Sequence, residues 1–151
     1  MNDKELELAV IKESWRKLRW YGIKRDYTAE DVCRLRGSFW QHYPLAQRGA
    51  DKLWDRANNN SFIRALGAST GHMAVEMVNG GLKAIYCSGW QVAGDANTNG
   101  QTYPDQSLYS VDSVPKLVRR INNALLAKDL VQKMTEKGNV DWMVPIVADA
   151  D

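Results

Sequence analysis

The sequence predicts an α/β fold in which a helical amino-terminal arm precedes a parallel sheet, and three observations predict it. Helical stripes fill residues 5–57. Three short apolar runs follow, at 62–68, 84–88 and 144–148. Between them lie two helical stretches, at 71–79 and 113–133. Apolar runs alternating with helices form a βαβαβ series. Parallel strands need such crossovers, because the chain must return to the same end of the sheet before running beside its neighbour. At 151 residues, 44% hydrophobic and 25% charged, the chain fits one ordinary globular unit or a piece of a larger one.

Each element has a local cause. Over 5–18, Leu8, Ile11, Trp15 and Leu18 stand three and four apart on one helical face, and Trp15 with Trp20 gives this arm a packing surface of its own. A second helix opens at Thr28, whose hydroxyl can accept the amide three residues on while Asp31 reaches back, as in a capping box; its apolar positions are Val32, Leu35 and Phe39. Pro44 marks a fresh start. Leu45, Ala46, Gly49, Ala50, Leu53, Trp54 and Ala57 then form one stripe, which Asn58-Asn59-Asn60 breaks. After the first apolar run, Met73, Ala74, Met77 and Val78 share a helical face, with the two methionines as packing and not a metal site. Gly80-Gly81 terminates that helix, and no Lys-Ser/Thr follows to make a phosphate loop. In 113–133 the face is Val114, Leu117, Val118, Ile121, Ala124 and Leu125; Ser113 is placed to cap, and Pro115 falls in the first turn, where its missing N–H costs nothing.

Charge and cysteine usage narrow the function. Lys and Arg (20) nearly balance Asp and Glu (18), so no whole-chain field favours nucleic acid or an anionic membrane. The basic cluster over 12–25, interrupted by Glu13, reads as a solvated helix face. Cys33 and Cys87 have no metal-type spacing, and neither resembles an activated thiolate. His42 and His72 have no Cys, Ser or carboxylate arrangement around them and read as structural. Met1-Asn2-Asp3-Lys4 lacks the apolar core of a signal peptide, and no run approaches the roughly 20 residues that span a bilayer. A cytoplasmic location is expected.

In a parallel sheet chemistry gathers where strands end. The second run, in KAIYCSGWQ over 83–91, stops abruptly at Ser88-Gly89-Trp90-Gln91, and a Gly/Asn/Asp-rich loop runs on to Gly100. The first run ends at Ser69-Thr70 and the third at Asp149-Ala150-Asp151, while Asp105 lies in the connection leaving the second. Asp149 and Asp105 have the hard oxygen donors that Mg²⁺ takes, as ligands or just outside them. From the residues alone, a strand-end Asp is as often a cap or turn residue, and a lone Trp90 is more often core or partner surface.

These stretches together resemble the amino-terminal part of isocitrate lyase. The match is carried by TAEDVCRLRGS (28–38), ALGASTG (65–71), GLKAIYCSGWQVAGDAN (81–97), YPDQSLY (103–109), RRINNAL (119–125) and PIVADAD (145–151), in order, from about Trp20 onward. The resemblance implies a Mg²⁺-dependent (β/α)₈ TIM-type barrel, tetrameric and cytoplasmic, that cleaves isocitrate to succinate and glyoxylate in the glyoxylate bypass. It makes 1–60 a helical arm and 61–151 a partial barrel with strands one to three. Ser88, Gly89 and Trp90 match the family's substrate-contacting turn, and Tyr86 a residue lining the same pocket. Asp149 matches the aspartate that holds Mg²⁺, and Asp105 a carboxylate near the metal acting through water. Cys87 and Ser110 stand where the family is expected to have Leu and Pro. The family's catalytic Lys-Lys-Cys-Gly-His occurs nowhere in the sequence. The chain is therefore expected to contain no catalytic residue, to be an amino-terminal fragment inactive alone, and to leave an unpaired strand edge. Two alternatives stay open: a non-catalytic fragment associating with full-length lyase subunits, and a relative of the methylisocitrate lyases, although a Trp after Ser88-Gly89 fits isocitrate lyase better. Expected partners are isocitrate, glyoxylate and further lyase subunits, without nucleic acid or membrane.

Overall fold

The computed structural model describes residues 3–39, 41–59 and 62–149. Met1 and Asn2 at the start, Asn60 of the helix break, and Ala150 and Asp151 of the third strand end lie outside the described residues. The chain divides into two compact units, Met1–His42 and Tyr43–Asp151.

The first unit contains α1 (Asp3–Trp15), a 3₁₀ turn (Leu18–Trp20) and α2 (Ala29–Leu35). The helix expected over 5–18 ends at Trp15, because the Arg16 and Lys17 amides turn back on the Glu13 and Ser14 carbonyls, i to i−3, and tighten the chain. Leu18 is left exposed. The capping box at Thr28 forms: its hydroxyl accepts the Asp31 amide at 3.1 Å while the Asp31 carboxylate accepts the Thr28 amide at 3.0 Å. The Thr28 hydroxyl also donates to the Asp31 carboxylate at 2.7 Å, and this bond first, then the one from the Thr28 amide, holds Asp31 below the usual carboxylate range. α2 ends at Leu35, since Arg36 is extended, so Phe39 lies beyond the helix and both apolar side chains are exposed. Ile11 and Ala29 are buried, Lys12 pairs with Glu30 at 2.6 Å, and Arg36 pairs with Glu7 at 3.2 Å. The Arg25 guanidinium lies 4.6 Å over the Trp15 ring, which meets Tyr27 edge-on. Part of the basic cluster is thus engaged within its own unit.

The second unit is a mixed α/β layer. It runs through α3 (Pro44–Asn58), β1 (Ala65–Gly67), α4 (Gly71–Asn79), β2 (Ala84–Cys87), α5 (Gly89–Gln91), a π-helical turn (Val92–Ala96), α6 (Ser113–Thr135) and β3 (Ile146–Ala148). The strands are parallel in the order β1-β2-β3, with Gly67 beside Tyr86 and Tyr86 beside Val147. Alternation along β2 buries Ile85 and Cys87 in the core with Val75, Val78, Leu117, Ile121 and Leu125, and turns Tyr86 to the other face. Pro44 opens α3 as predicted. α3 is fixed beside the strand starts by Lys52 on the Asp141 carboxylate (2.6 and 2.7 Å) and the Met143 carbonyl (2.7 Å), and by Arg56 on the Lys83 carbonyl.

Three local expectations change. The inner face of α4 is Ala74, Val75 and Val78; Met77 packs at its border, whereas Met73 is 37% exposed. Ser113 does not cap α6: Asp112 holds that position, and the fully buried Ser113 hydroxyl instead accepts the Thr98 amide at 3.1 Å and bonds the Ser110 hydroxyl at 2.8 Å. The stretch after Gln91 is helical to Ala96 before any loop begins. The Gly80-Gly81 stop is as expected, with Gly81 at φ +96°, a conformation side chains rarely adopt.

Candidate active site at the carboxyl ends of the strands

The site is built where β2 and β3 end side by side. Cys87 and Ala148 are register partners, and the Asp149 amide donates to the Cys87 carbonyl at 3.1 Å, carrying the ladder one residue further. Partners in a parallel ladder share a face, so Tyr86 and Val147 point together, and Asp149, two residues on, returns to that side. The Tyr86 hydroxyl lies 2.9 Å from both Asp149 carboxylate oxygens, and the Gly89 amide donates to Oδ2 at 2.6 Å. These donors are neutral. They orient the carboxylate without cancelling its charge, which leaves it suited to a cation.

Gly89 must be glycine for a steric reason. A Cβ there would stand 2.6 Å from the Tyr109 hydroxyl and 3.1 Å from Asp149 Oδ2. Ser88 is buried and caps the short α5, accepting the Gln91 amide at 3.3 Å; an accepting hydroxyl retains its own proton to offer an anionic oxygen.

The other two expected residues lie apart from this junction. Trp90 is 69% exposed and lines a small hollow with Ser69, Gln91, Asp95 and Gln106, separate from the hollow of about 800 Å³ that Asp149 lines with Ser107, Tyr109, Val114, Arg119 and Asn122. Asp105 is exposed, and its Oδ1 accepts from the Ser107 hydroxyl (2.6 Å) and amide (3.0 Å), bonds that hold its carboxyl below the usual carboxylate range. Ser107 borders the Asp149 hollow, so the turn holding Asp105 flanks that space.

Among the described residues no three Asp, Glu, His or Cys side chains converge as a metal cage. Mg²⁺ does not need one, since it binds through one or two carboxylates and keeps water and substrate oxygens for the rest. A carboxylate oriented by two neutral donors, as Asp149 is, fits that donor chemistry.

Two residues here escaped the sequence reading. Asn97, 9% exposed, clamps the π-helical turn by donating to the Val92, Ala93 and Gln101 carbonyls while accepting the Asn99 and Gln101 amides. π-helical turns recur at functional sites. The only sequence signal for Asn97 was a loop rich in Asn, which does not say which one turns inward. Tyr109 lies in a matched stretch but stood out by no spacing.

Cys87 behaves as packing. Burial first, then the Asp149 carboxylate, pushes its thiol from about 9 up to about 11. The native state therefore keeps a proton that the unfolded chain loses, so stability is complete below about pH 9 and falls as pH rises to about 11. Urea titrations at pH 7 and pH 10.5 should show a loss of about 2 kcal/mol that shrinks in Cys87→Ala; equal losses in both proteins would assign it to other groups.

Comparison with known proteins gives the family. Residues 7–151 match the isocitrate lyase family. The chain is 56% identical over 145 residues to an isocitrate lyase of Corynebacterium efficiens, covering 93% of this chain and 34% of the relative. It is 52% identical over 143 residues to isocitrate lyase 1 of Mycobacterium tuberculosis, covering 93% and 33%. A bifunctional glyoxylate cycle protein of Caenorhabditis elegans is 53% identical over 144 residues, covering 93% and 15%. The chain thus spans about a third of the length of the bacterial lyases it matches. With a match that takes in the sheet, the Ser88-Gly89-Trp90 turn and Asp149, the chain belongs to the isocitrate lyase family.

Proposed function

We propose that this chain forms the substrate-turn and metal-holding part of an isocitrate lyase, whose reaction is retro-aldol cleavage of isocitrate to succinate and glyoxylate in the glyoxylate bypass. The observation that carries the reading is the Asp149 carboxylate, held at the end of β3 by the Tyr86 hydroxyl and the Gly89 amide. Mg²⁺ would be held by Asp149, with Asp105 outside it through water, and when bound supplies Lewis-acid polarisation of substrate oxygens. Ser88 offers a hydroxyl, and its turn offers backbone amides, for the carboxylate at the glyoxylate end. The family motif assigns Trp90 to the substrate turn, its indole lining the neighbouring hollow beside Ser69 and Gln91, and Tyr86 keeps Asp149 from rotating away from the substrate. Protonation of the succinate carbanion falls to a group outside this sequence, which has no Lys-Lys-Cys-Gly-His and whose Cys87 is a buried, high-pKa thiol. In this reading β1 to β3 are the first three strands of a (β/α)₈ barrel, and the whole enzyme is a cytoplasmic tetramer. Among the described residues no helix is long and apolar enough to cross a membrane.

The test is glyoxylate release from isocitrate and Mg²⁺ by the chain alone and by the chain mixed with a separately expressed remainder of a related lyase. Activity is expected only in the mixture. Asp149→Ala should lower its kcat/KM by about 10³-fold and Ser88→Ala by about 10-fold to 10²-fold, the scale of losing one preorganised polar group. Turnover by the chain alone, or a mixture indifferent to Asp149→Ala, would overturn the reading. A soluble, assembled but inactive mixture would favour a non-catalytic associating fragment.

A further inference from the structure

We propose that Tyr109 is the positioning residue that keeps the Gly89 amide aimed at Asp149. The inference rests on reading Asp149 as the site carboxylate, but it concerns how this chain holds that group and is tested without turnover. The Gly89 backbone lies in a slot. The Tyr109 hydroxyl and Cε1 stand 2.6 and 3.1 Å from where a Gly89 Cβ would be, and Asp149 Oδ2 stands 3.1 Å from the same point. The Tyr109 ring is partly buried and packs against the core. The next residue, Ser110, is tied to Thr98 and Ser113, each at 2.8 Å between hydroxyl oxygens. Such a ring is a fixed wall and not the loose end of a flexible side chain. The 2.6 Å bond from the Gly89 amide to the carboxylate is short for an N–H donor, as charge-assisted bonds are, and it demands a narrow range of peptide orientation. The wall at Tyr109 removes the orientations in which the Ser88–Gly89 peptide would swing off Asp149.

The measurement is amide NMR and hydrogen exchange on the ¹⁵N-labelled full chain at one pH. The Gly89 proton should resonate far downfield in the wild type and in Tyr109→Phe, which loses the hydroxyl but keeps the ring edge at Cε1. In Tyr109→Ala it should lose that position and exchange about tenfold faster, matching loss of a hydrogen bond to a charged group. Gly89→Ala should disrupt the site in the wild-type background and be less disruptive in Tyr109→Ala, where only the 3.1 Å approach to Asp149 Oδ2 remains. If Tyr109→Ala does not fold, Tyr109→Leu, which lacks the outer ring edge, replaces it in both comparisons. An unchanged Gly89 amide in the shortened variant, or Gly89→Ala equally disruptive in both backgrounds, overturns the proposal. Neither outcome depends on glyoxylate release, so failure here and failure of the functional reading are distinguishable.

Discussion

Asn97→Leu should destabilise the chain by about 3 kcal/mol, one of the two largest losses expected from a single substitution. Leucine nearly matches asparagine in volume but makes none of its hydrogen bonds. The Asn97 amide nitrogen donates to the Val92 and Ala93 carbonyls at 3.1 Å and to Gln101 at 2.6 Å, and its oxygen accepts the Asn99 and Gln101 amides. Ala93 would keep its bond from the Tyr103 amide, but the other groups would be left to find water in a crowded turn. A buried polar group stripped of its partner costs about 1–3 kcal/mol; the Val92 and Ala93 carbonyls are buried, but the Asn99 and Gln101 groups are only partly so, and the total stays well below the sum. Against a usual stability of about 5–15 kcal/mol this is a large fraction. Urea unfolding measures it. The turn begins at Val92, two residues beyond Trp90, so the emission of Trp90 should also broaden before global unfolding. A loss under about 1 kcal/mol would mean that water replaces the side chain and that Asn97 is no clamp.

Ile121→Ala should cost about 3–4 kcal/mol, within the range for emptying a fully buried aliphatic site. Ile121 has no exposed surface and sits on the inner face of α6 with Leu117 and Leu125, in one core cluster with Val75 and Val78 of α4 and Ile85 of β2. The helices leave little room to close the void. A Cβ on Gly71, at the start of α4, would already stand 2.8 Å from Ala124, so α4 and α6 are in close contact beside the sheet. Leu130→Ala on the same helix, where Leu130 is 58% exposed, should cost well under 1 kcal/mol. Thermal or chemical unfolding of the pair decides the matter: similar losses would show that burial along α6 does not control stability. The prediction bears on the site as well, because α6 supports the strand whose end carries Ser88 and Gly89.

How far each feature was legible follows from the sequence distance of its causes. The capping box at Thr28 joins residues three apart, and the stop at Gly81 depends on one backbone angle, so both could be read from neighbouring letters. The stripe of Leu117, Ile121 and Leu125 is equally local, and it placed α6 and its buried face. The errors are local patterns overruled from afar. Ser113 looks like a cap until Thr98, fifteen residues earlier, claims its hydroxyl, and Met73 looks like core until the chain around it leaves that side of α4 open.

The sequence by itself determined the alternation of strands and helices, the places where the strands end, and the motifs that mark the family. Tertiary structure decided which groups meet there. Asp149 takes its donors from residues 60 and 63 positions away, and no periodicity links groups so far apart. It also decided that Asn97 turns inward to clamp a widened helical turn and that Tyr109 stands against Gly89. Helix and strand patterns arise from contacts within a few residues, whereas a site is made by strands pairing side by side, and that pairing exists only once the sheet has formed.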